Sequence, residues 1–296
     1  MTLKTPDFIV IGAAKSGTTT LYEYLCRHPQ IYMSTPKEPD FFSIDANYTR
    51  GMDCYYSLFK DAKPNQICGE ASTTYSRWHQ HPQAAERIHS ELPDVKLIYI
   101  MRHPVDRAYS FYIHRFKGAL YKPEQAVLNT FEATIEQQSE FIQSSYYLEQ
   151  IEKYLPFFPQ ESFFFLLMED LIEQPAATLK KILTFIDVEP QIDLIQEEKI
   201  VANKAGDYPE WFVKEQLLKP LKKIPGVSLV SSLLPKQIKN KLYHKIEKAK
   251  YQEWKSSQFL PPPMLPETRT KLLEHFKEPN AKLAQFLNRD LSHWDR

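Results

Sequence analysis

Residues 7–25, DFIVIGAAKSGTTTLYEYL, pass from a short apolar run through a glycine-and-hydroxyl turn into an amphipathic stretch. This is the local plan of a strand, a phosphate-cradling loop and a helix whose N-terminus faces an anion. Gly12 and Gly17 keep the spacing of the ATP-type loop G-x-x-x-x-G-K-[ST], but Thr18 stands at the lysine position and Lys15 comes three residues earlier. In the ATP loop that lysine reaches the β- and γ-phosphates and the next hydroxyl holds magnesium. Lys15, inside the turn, instead belongs beside one phosphate and whatever is bonded to it. The expectation is a 5′-phosphate carrying a non-phosphate partner, with no metal required. The whole chain has seven glycines, so two of them five apart after a strand carry weight.

Working outward, four segments read as buried parallel strands followed by helical periodicity: DFIVIGA (7–13), QICGEAS (66–72), KLIYIMR (96–102) and SFFFLLME (162–169). Helices are expected over about 18–27, 104–116, 144–155 and 175–186. The alternation implies an α/β fold, a central parallel sheet flanked by helices, P-loop-like and built as one domain over 1–296. A lysine-rich helical insertion at about 200–255 includes PKQIKNKLYHKIEKAKYQEWK, with Ile238, Leu242 and Ile246 on one stripe. It reads either as solvated faces of helices packed on the core or as a wall over an acceptor.

Thirty-seven basic and thirty-seven acidic residues cancel, so no whole-molecule field draws the chain to nucleic acid or to an anionic membrane. Cys26, Cys54 and Cys68 form no C-x-x-C pair and suit a reducing compartment. The N-terminal apolar run, Phe8 to Ala14, is too short for a signal or membrane segment and belongs to the loop itself. These features imply a cytoplasmic protein with little chain ahead of the loop. His79 and His81 form an H-x-H with no acidic or cysteine partner at ligand spacing, so no metal is expected.

A second anion-binding segment follows in KLIYIMRHPVDRAYSFY (96–112). Arg102 sits at a strand's carboxyl end and Ser110 one to two turns into a helix opened by Pro104, so both can point into the crevice where α/β sheets bind ligands. A guanidinium and a hydroxyl converging there suit a phosphate. Taken alone, Arg102 could equally be a structural cation paired with Asp106 or Glu70.

Two phosphate sites on one sheet fit a nucleotide phosphorylated at both its 5′ and 3′ positions. In GAAKSGTTTLYEYL and RHPVDRAYSFY the chain resembles the sulfotransferases that use 3′-phosphoadenosine-5′-phosphosulfate (PAPS). PKEPDFF (36–42), GEASTTY (69–75) and PPPMLPETRTKLLEHFKEPNAKLAQFL resemble the branch of heparan sulfate sulfotransferases and bacterial homologues. The likeness spans residues 7–190 and 255–290.

The resemblance implies that Lys15, Ser16, Gly17, Thr18 and Thr19 bind the 5′-phosphosulfate, and Arg102 and Ser110 the 3′-phosphate. It implies that Lys15 stabilises charge on the leaving oxygen and puts the general base on Glu38, since an acceptor hydroxyl or amine must lose a proton as it attacks sulfur. Without the resemblance Glu38 reads as a surface acid. Lys37 is open between helping at the sulfuryl oxygens and pairing with Glu38. Thr73, Thr74 and Tyr75 are candidates for the acceptor side, with Ala71 where the heparan-type enzymes often carry lysine. Lys255, Ser256, Ser257 and Phe259 are candidates for closing the nucleotide site, although EWKSSQF lacks the glycine of that loop. The products are the sulfated acceptor and adenosine 3′,5′-bisphosphate (PAP). With no net charge and no export signal, a small intracellular acceptor, such as a bacterial secondary metabolite, is favoured over a glycan, which the lysine-rich segment keeps open. A P-loop kinase and a non-catalytic nucleotide-binding protein are the rivals from other classes.

Overall fold

The computed structural model describes residues 4–119, 127–190 and 261–296. The five strands are β1 (Phe8–Gly12), β2 (Ile31–Met33), β3 (Ile67–Ala71), β4 (Lys96–Met101) and β5 (Phe163–Leu167). They form one sheet in the order β2-β3-β1-β4-β5, and every neighbouring pair is parallel. The helices that matter here are α1 (Thr18–Cys26), α2 (Pro104–Gly118), α3 (Tyr147–Glu152), α4 (Pro175–Phe185) and α5 (Pro266–Leu287).

The four strands read from the sequence are β1, β3, β4 and β5. β2 was missed because three residues, IYM, fall short of any run-length signal. Of the helices, α3 is shorter than the span expected at 144–155 because Ser144–Tyr146 form a turn tied by Tyr146 N–H to Gln143 C=O.

Alternation along the strands explains the two cores. On β1 and β4, Ile9, Ile11, Leu97, Tyr99 and Met101 face one layer, with Tyr55, Tyr75, Tyr147 and Trp294. Phe8, Val10, Ile98 and Ile100 face the other, with Leu21 and Leu25 of α1 and Leu179, Ile182 and Leu183 of α4. Burial on both faces is why these strands read as unbroken apolar runs.

The layers are tight where β1 meets β3. Phe8 lies opposite Gly69, and a methyl group added at Gly69 would sit 2.1 Å from Cζ of the fully buried Phe8 ring. Gly69→Ala is therefore expected to cost about 1–3 kcal/mol through overpacking, read as a lowered midpoint in urea or thermal unfolding, with PAP binding retained in the folded fraction.

The strand order puts β1 at the centre: the chain runs from β1 out to β2, back to β3 and then across β1 to β4. Ligands in such sheets bind outside the carboxyl ends of the strands at this switch point. Three segments meet there: the loop after β1, the turn after β3 and Arg102 after β4.

Candidate active site

The loop after β1 is anchored from both sides. Ala13 N–H bonds Ile100 C=O of β4, and Ser76 N–H, beyond β3, bonds Ile11 C=O. Gly12 is required by space, because a Cβ there would lie 2.1 Å from Ser76 Oγ. Gly17 is required by conformation: as the N-cap of α1 it has φ 93°, in the left-handed region, and no side chain caps the helix. The first N–H groups of α1 therefore remain for a ligand. Thr18 is buried, Thr19 is half-buried and Ser16 lies fully buried beneath the turn. Lys15 holds φ 70° in this turn. Burial chiefly, opposed by Glu38 and reinforced by Arg102, lowers its pKa to about 8.

Arg102 donates from Nη1 to the Lys15 carbonyl at 3.2 Å. The structural pairings weighed for it do not form: Asp106 pairs with Arg269 at 2.7 Å, and Glu70 accepts from Tyr55 and Ser72. Tyr147 Oη donates to the Arg102 carbonyl at 2.7 Å, so the strand end is fixed from behind. The two anion-binding segments are thus contiguous, joined through Lys15 and Arg102. Ser110 is half-buried on α2. Arg107, three residues before it, is fully buried and donates to Ser145 Oγ and the Phe141 carbonyl.

The PKEPDFF loop lies across the carboxyl end of β3. Glu38 (φ 59°) and Asp40 (φ 52°) are both left-handed without being glycine, a strained arrangement that needs external support. Glu38 N–H bonds Ala71 C=O at 3.0 Å and Asp40 N–H bonds Ser72 Oγ at 3.1 Å. Lys37 Nζ lies 2.6 Å from Glu38 Oε1 and forms an ion pair with it. The Glu38 side chain is 41% exposed. Its other neighbour is Thr73, whose hydroxyl donates to Oε1 at 3.5 Å.

Of the three residues expected on the acceptor side, only Thr73 touches Glu38. Thr74 Oγ1 donates to Asp40 Oδ1 at 2.6 Å and supports the loop from beneath. Tyr75 is a correction: it is fully buried in the core, where its ring packs on Phe42 and its hydroxyl accepts from Phe42 N–H. Its aromatic ring cannot line a pocket from there. Lys255, Ser256, Ser257, Phe259 and the lysine-rich segment lie outside the described residues.

The structure adds residues that no motif flagged. Arg77 sits among Glu38, Asp40 and Glu140, its guanidinium 5.3 Å from the Phe111 ring centre, and burial lowers its pKa. His114 and Lys117 of α2 both act electrostatically on the site. The surrounding protein first, and Lys15 after it, push His114 to about 4 against the pull of Glu38, leaving a neutral imidazole at neutral pH. Ser110, His114 and Lys117 fall at i, i+4 and i+7, a stripe that helical periodicity could have picked out. His79 faces Glu149 at 3.7 Å, and among the described residues no three His, Cys, Asp or Glu side chains gather as a metal set. No helix among the described residues is long and apolar enough to cross a membrane.

A glycine turn at an uncapped helix N-terminus, Arg102 bonded to the Lys15 carbonyl and an acid, Glu38, acting on Lys15 meet at the carboxyl end of a parallel α/β sheet. The chain matches the family described as "Sulfotransferase domain" over residues 5–284 and belongs to that family. It is 30% identical over 193 residues to heparan sulfate glucosamine 3-O-sulfotransferase 5 of Mus musculus, a match covering 63% of this chain and 55% of that protein. It is 26% identical over 298 residues to the bifunctional heparan sulfate N-deacetylase/N-sulfotransferase 3 of Homo sapiens, covering 96% of this chain and 30% of that protein. The match thus spans about half, or less, of these curated relatives. A solved sulfotransferase from Alicyclobacillus acidocaldarius is 25% identical, with a TM-score of 0.64 over 99% of this chain and 100% of that one.

Proposed function

We propose that the protein transfers the sulfuryl group of PAPS to a hydroxyl or amine of a carbohydrate acceptor by in-line displacement. The observation that carries this is the opposition of Lys15 and Glu38: a partly buried cation in the phosphate turn and a solvent-accessible carboxylate coupled to it across the crevice. The donor set fits the nucleotide, because the Gly17 turn offers N–H groups, Thr18 and Thr19 offer hydroxyls, and Lys15 and Arg102 offer charge. Lys15 neutralises charge on the departing phosphate oxygen, Arg102 and Ser110 hold the far phosphate, and Glu38 takes the acceptor's proton. Lys37 competes for Glu38 until the acceptor arrives, and Thr73 steadies the carboxylate. PAPS itself supplies a sulfur already activated by its bond to phosphate. With lysine inside the turn, no divalent ion is assigned a role.

The relatives named for glucosamine residues of heparan sulfate favour a glycan acceptor for this chain. The cations Arg77 and Lys117 beside the crevice support an acidic one. Supplying the protein with labelled PAPS, and with heparan-type oligosaccharides or a small-molecule extract of its host, separates the two classes. Label in the small-molecule fraction alone would sink the glycan reading.

Donor selectivity tests the reaction class. PAP is expected to bind without metal, and ATP weakly with or without magnesium, as read by calorimetry. Tight magnesium-dependent ATP binding would favour a kinase. The pH dependence follows from Lys15: its charge is complete well below about 8 and lost above it. PAP affinity is therefore expected to hold at neutral pH and to decline on the alkaline side, approaching about tenfold per pH unit for one lost proton.

A further inference from the structure

We propose that Glu70 is a positioning residue that, as a carboxylate, holds the Lys37–Glu38 loop over the crevice by fixing the hydroxyls from which that loop hangs. The proposal rests on the reading of Glu38 as the base, and it deepens that reading by naming what sets the base's position.

Glu70 lies on β3, fully buried, and no cation neutralises it among the described residues. Tyr55 Oη donates to Oε2 at 2.6 Å and Ser72 Oγ donates to Oε1 at 2.7 Å. The Tyr75 hydroxyl hydrogen-bonds it as well. A carboxylate only accepts, so it orients these hydroxyl protons inward and leaves their lone pairs facing the loop. Two of the hydroxyls meet loop amides: Ser72 Oγ accepts from Asp40 N–H at 3.1 Å, and Tyr75 Oη from Phe42 N–H at 3.4 Å. These bonds lie two and four residues after Glu38 and secure a segment with two strained residues. An alanine at Ser72 takes one acceptor from the loop, and a protonated acid at Glu70 donates where it had accepted, so one hydroxyl must turn its own O–H away and is no longer held in place. The acid would bring a proton of its own into a ring that already has enough donors.

The groups facing Glu70 are Tyr55, Ser72, Tyr75 and Tyr154 from the core and Asp40 from the loop. Burial raises the Glu70 pKa to about 7, opposed by the hydroxyls and assisted by Asp40. Global stability and loop order then respond oppositely to pH. A carboxyl with a raised folded pKa stabilises the fold at acid pH, and that contribution is lost as pH rises through about 7. The hydroxyl scaffold is complete only above that pH. A general loosening of the fold would move both together.

The test is amide hydrogen exchange of the full chain between pH 5.5 and 8.5, followed on peptides covering residues 36–44 and corrected for intrinsic rates. In the wild type, protection at Asp40 and Phe42 is expected to rise roughly three- to tenfold through neutral pH, about one hydrogen bond's worth. Glu70→Gln should lower that protection and flatten its pH dependence. Tyr55→Phe, which deletes one donor and keeps the ring, should move the transition to higher pH and serves if Glu70→Gln does not fold. Turnover with labelled PAPS should follow loop protection, with PAP affinity unchanged. Wild-type protection and pH dependence in both variants would overturn the proposal. Glu38→Gln should keep full loop protection, so an active Glu38→Gln protein would remove the base assignment and leave the exchange result standing.

Discussion

Replacing Glu38 by Gln is expected to lower turnover roughly 10²- to 10⁴-fold, the usual contribution of a general base, while PAP affinity stays within about twofold. The side chain bonds Lys37 and Thr73 and no group of the phosphate turn, so at a pH well below about 8, where Lys15 stays charged even without the support of Glu38, the isosteric amide removes proton acceptance and leaves the bonds of the donor cradle in place. The loop itself is held by backbone groups and by Ser72, which the substitution does not touch. The measurement is single-turnover transfer of label from PAPS, with PAP binding followed by calorimetry on the same preparation. Equal losses in transfer and in PAP binding would show that Glu38 belongs to the donor site. A companion substitution, Lys37→Met, frees Glu38 from its 2.6 Å partner and isolates what the ion pair contributes.

Lys15→Met should reduce transfer roughly 10²- to 10³-fold, on the scale of losing one group aimed at a developing negative charge. Unlike Glu38→Gln, it should also weaken PAP and abolish the alkaline decline in PAP affinity, since the titrating group is gone. The backbone stays in place because Arg102 bonds the Lys15 carbonyl rather than its side chain. Lys15→Arg should recover PAP binding more than transfer: the charge returns, but a planar fork replaces a compact ammonium on a φ of 70°. A Lys15→Met protein that transfers label at the wild-type rate would end the assignment.

Much of the donor cradle was legible because it is local. Residues 8–26 encode strand, turn and helix in one continuous stretch, and the displaced lysine at position 15 distinguished this loop from the ATP type without reference to any other part of the chain. The places of Arg102 and Ser110 were read the same way, the first at a strand's carboxyl end and the second one to two turns into the helix that follows. Tyr75 was misplaced because an aromatic residue next to two threonines looks like a pocket wall in sequence. Only the packing of Phe42 on its ring reveals that the turn after β3 faces it inward. Arg77 was missed because an isolated cation on a loop carries no spacing signal, and Lys117 because its helical stripe with Ser110 and His114 shows only once Ser110 is placed at the site.

The sequence by itself determined the α/β class, the four longer strands and a glycine turn leading into a helix after the first of them, because hydrophobic period and turn chemistry are properties of neighbouring residues. The tertiary structure decided which distant groups share the crevice. Arg102 reaches the Lys15 carbonyl across 87 residues, and Glu70 governs a loop thirty residues before it through hydroxyls of Ser72 and Tyr75. The physical reason is the strand order: with β1 between β3 and β4, three chain segments end at one edge of the sheet, and no local pattern records which ends will meet.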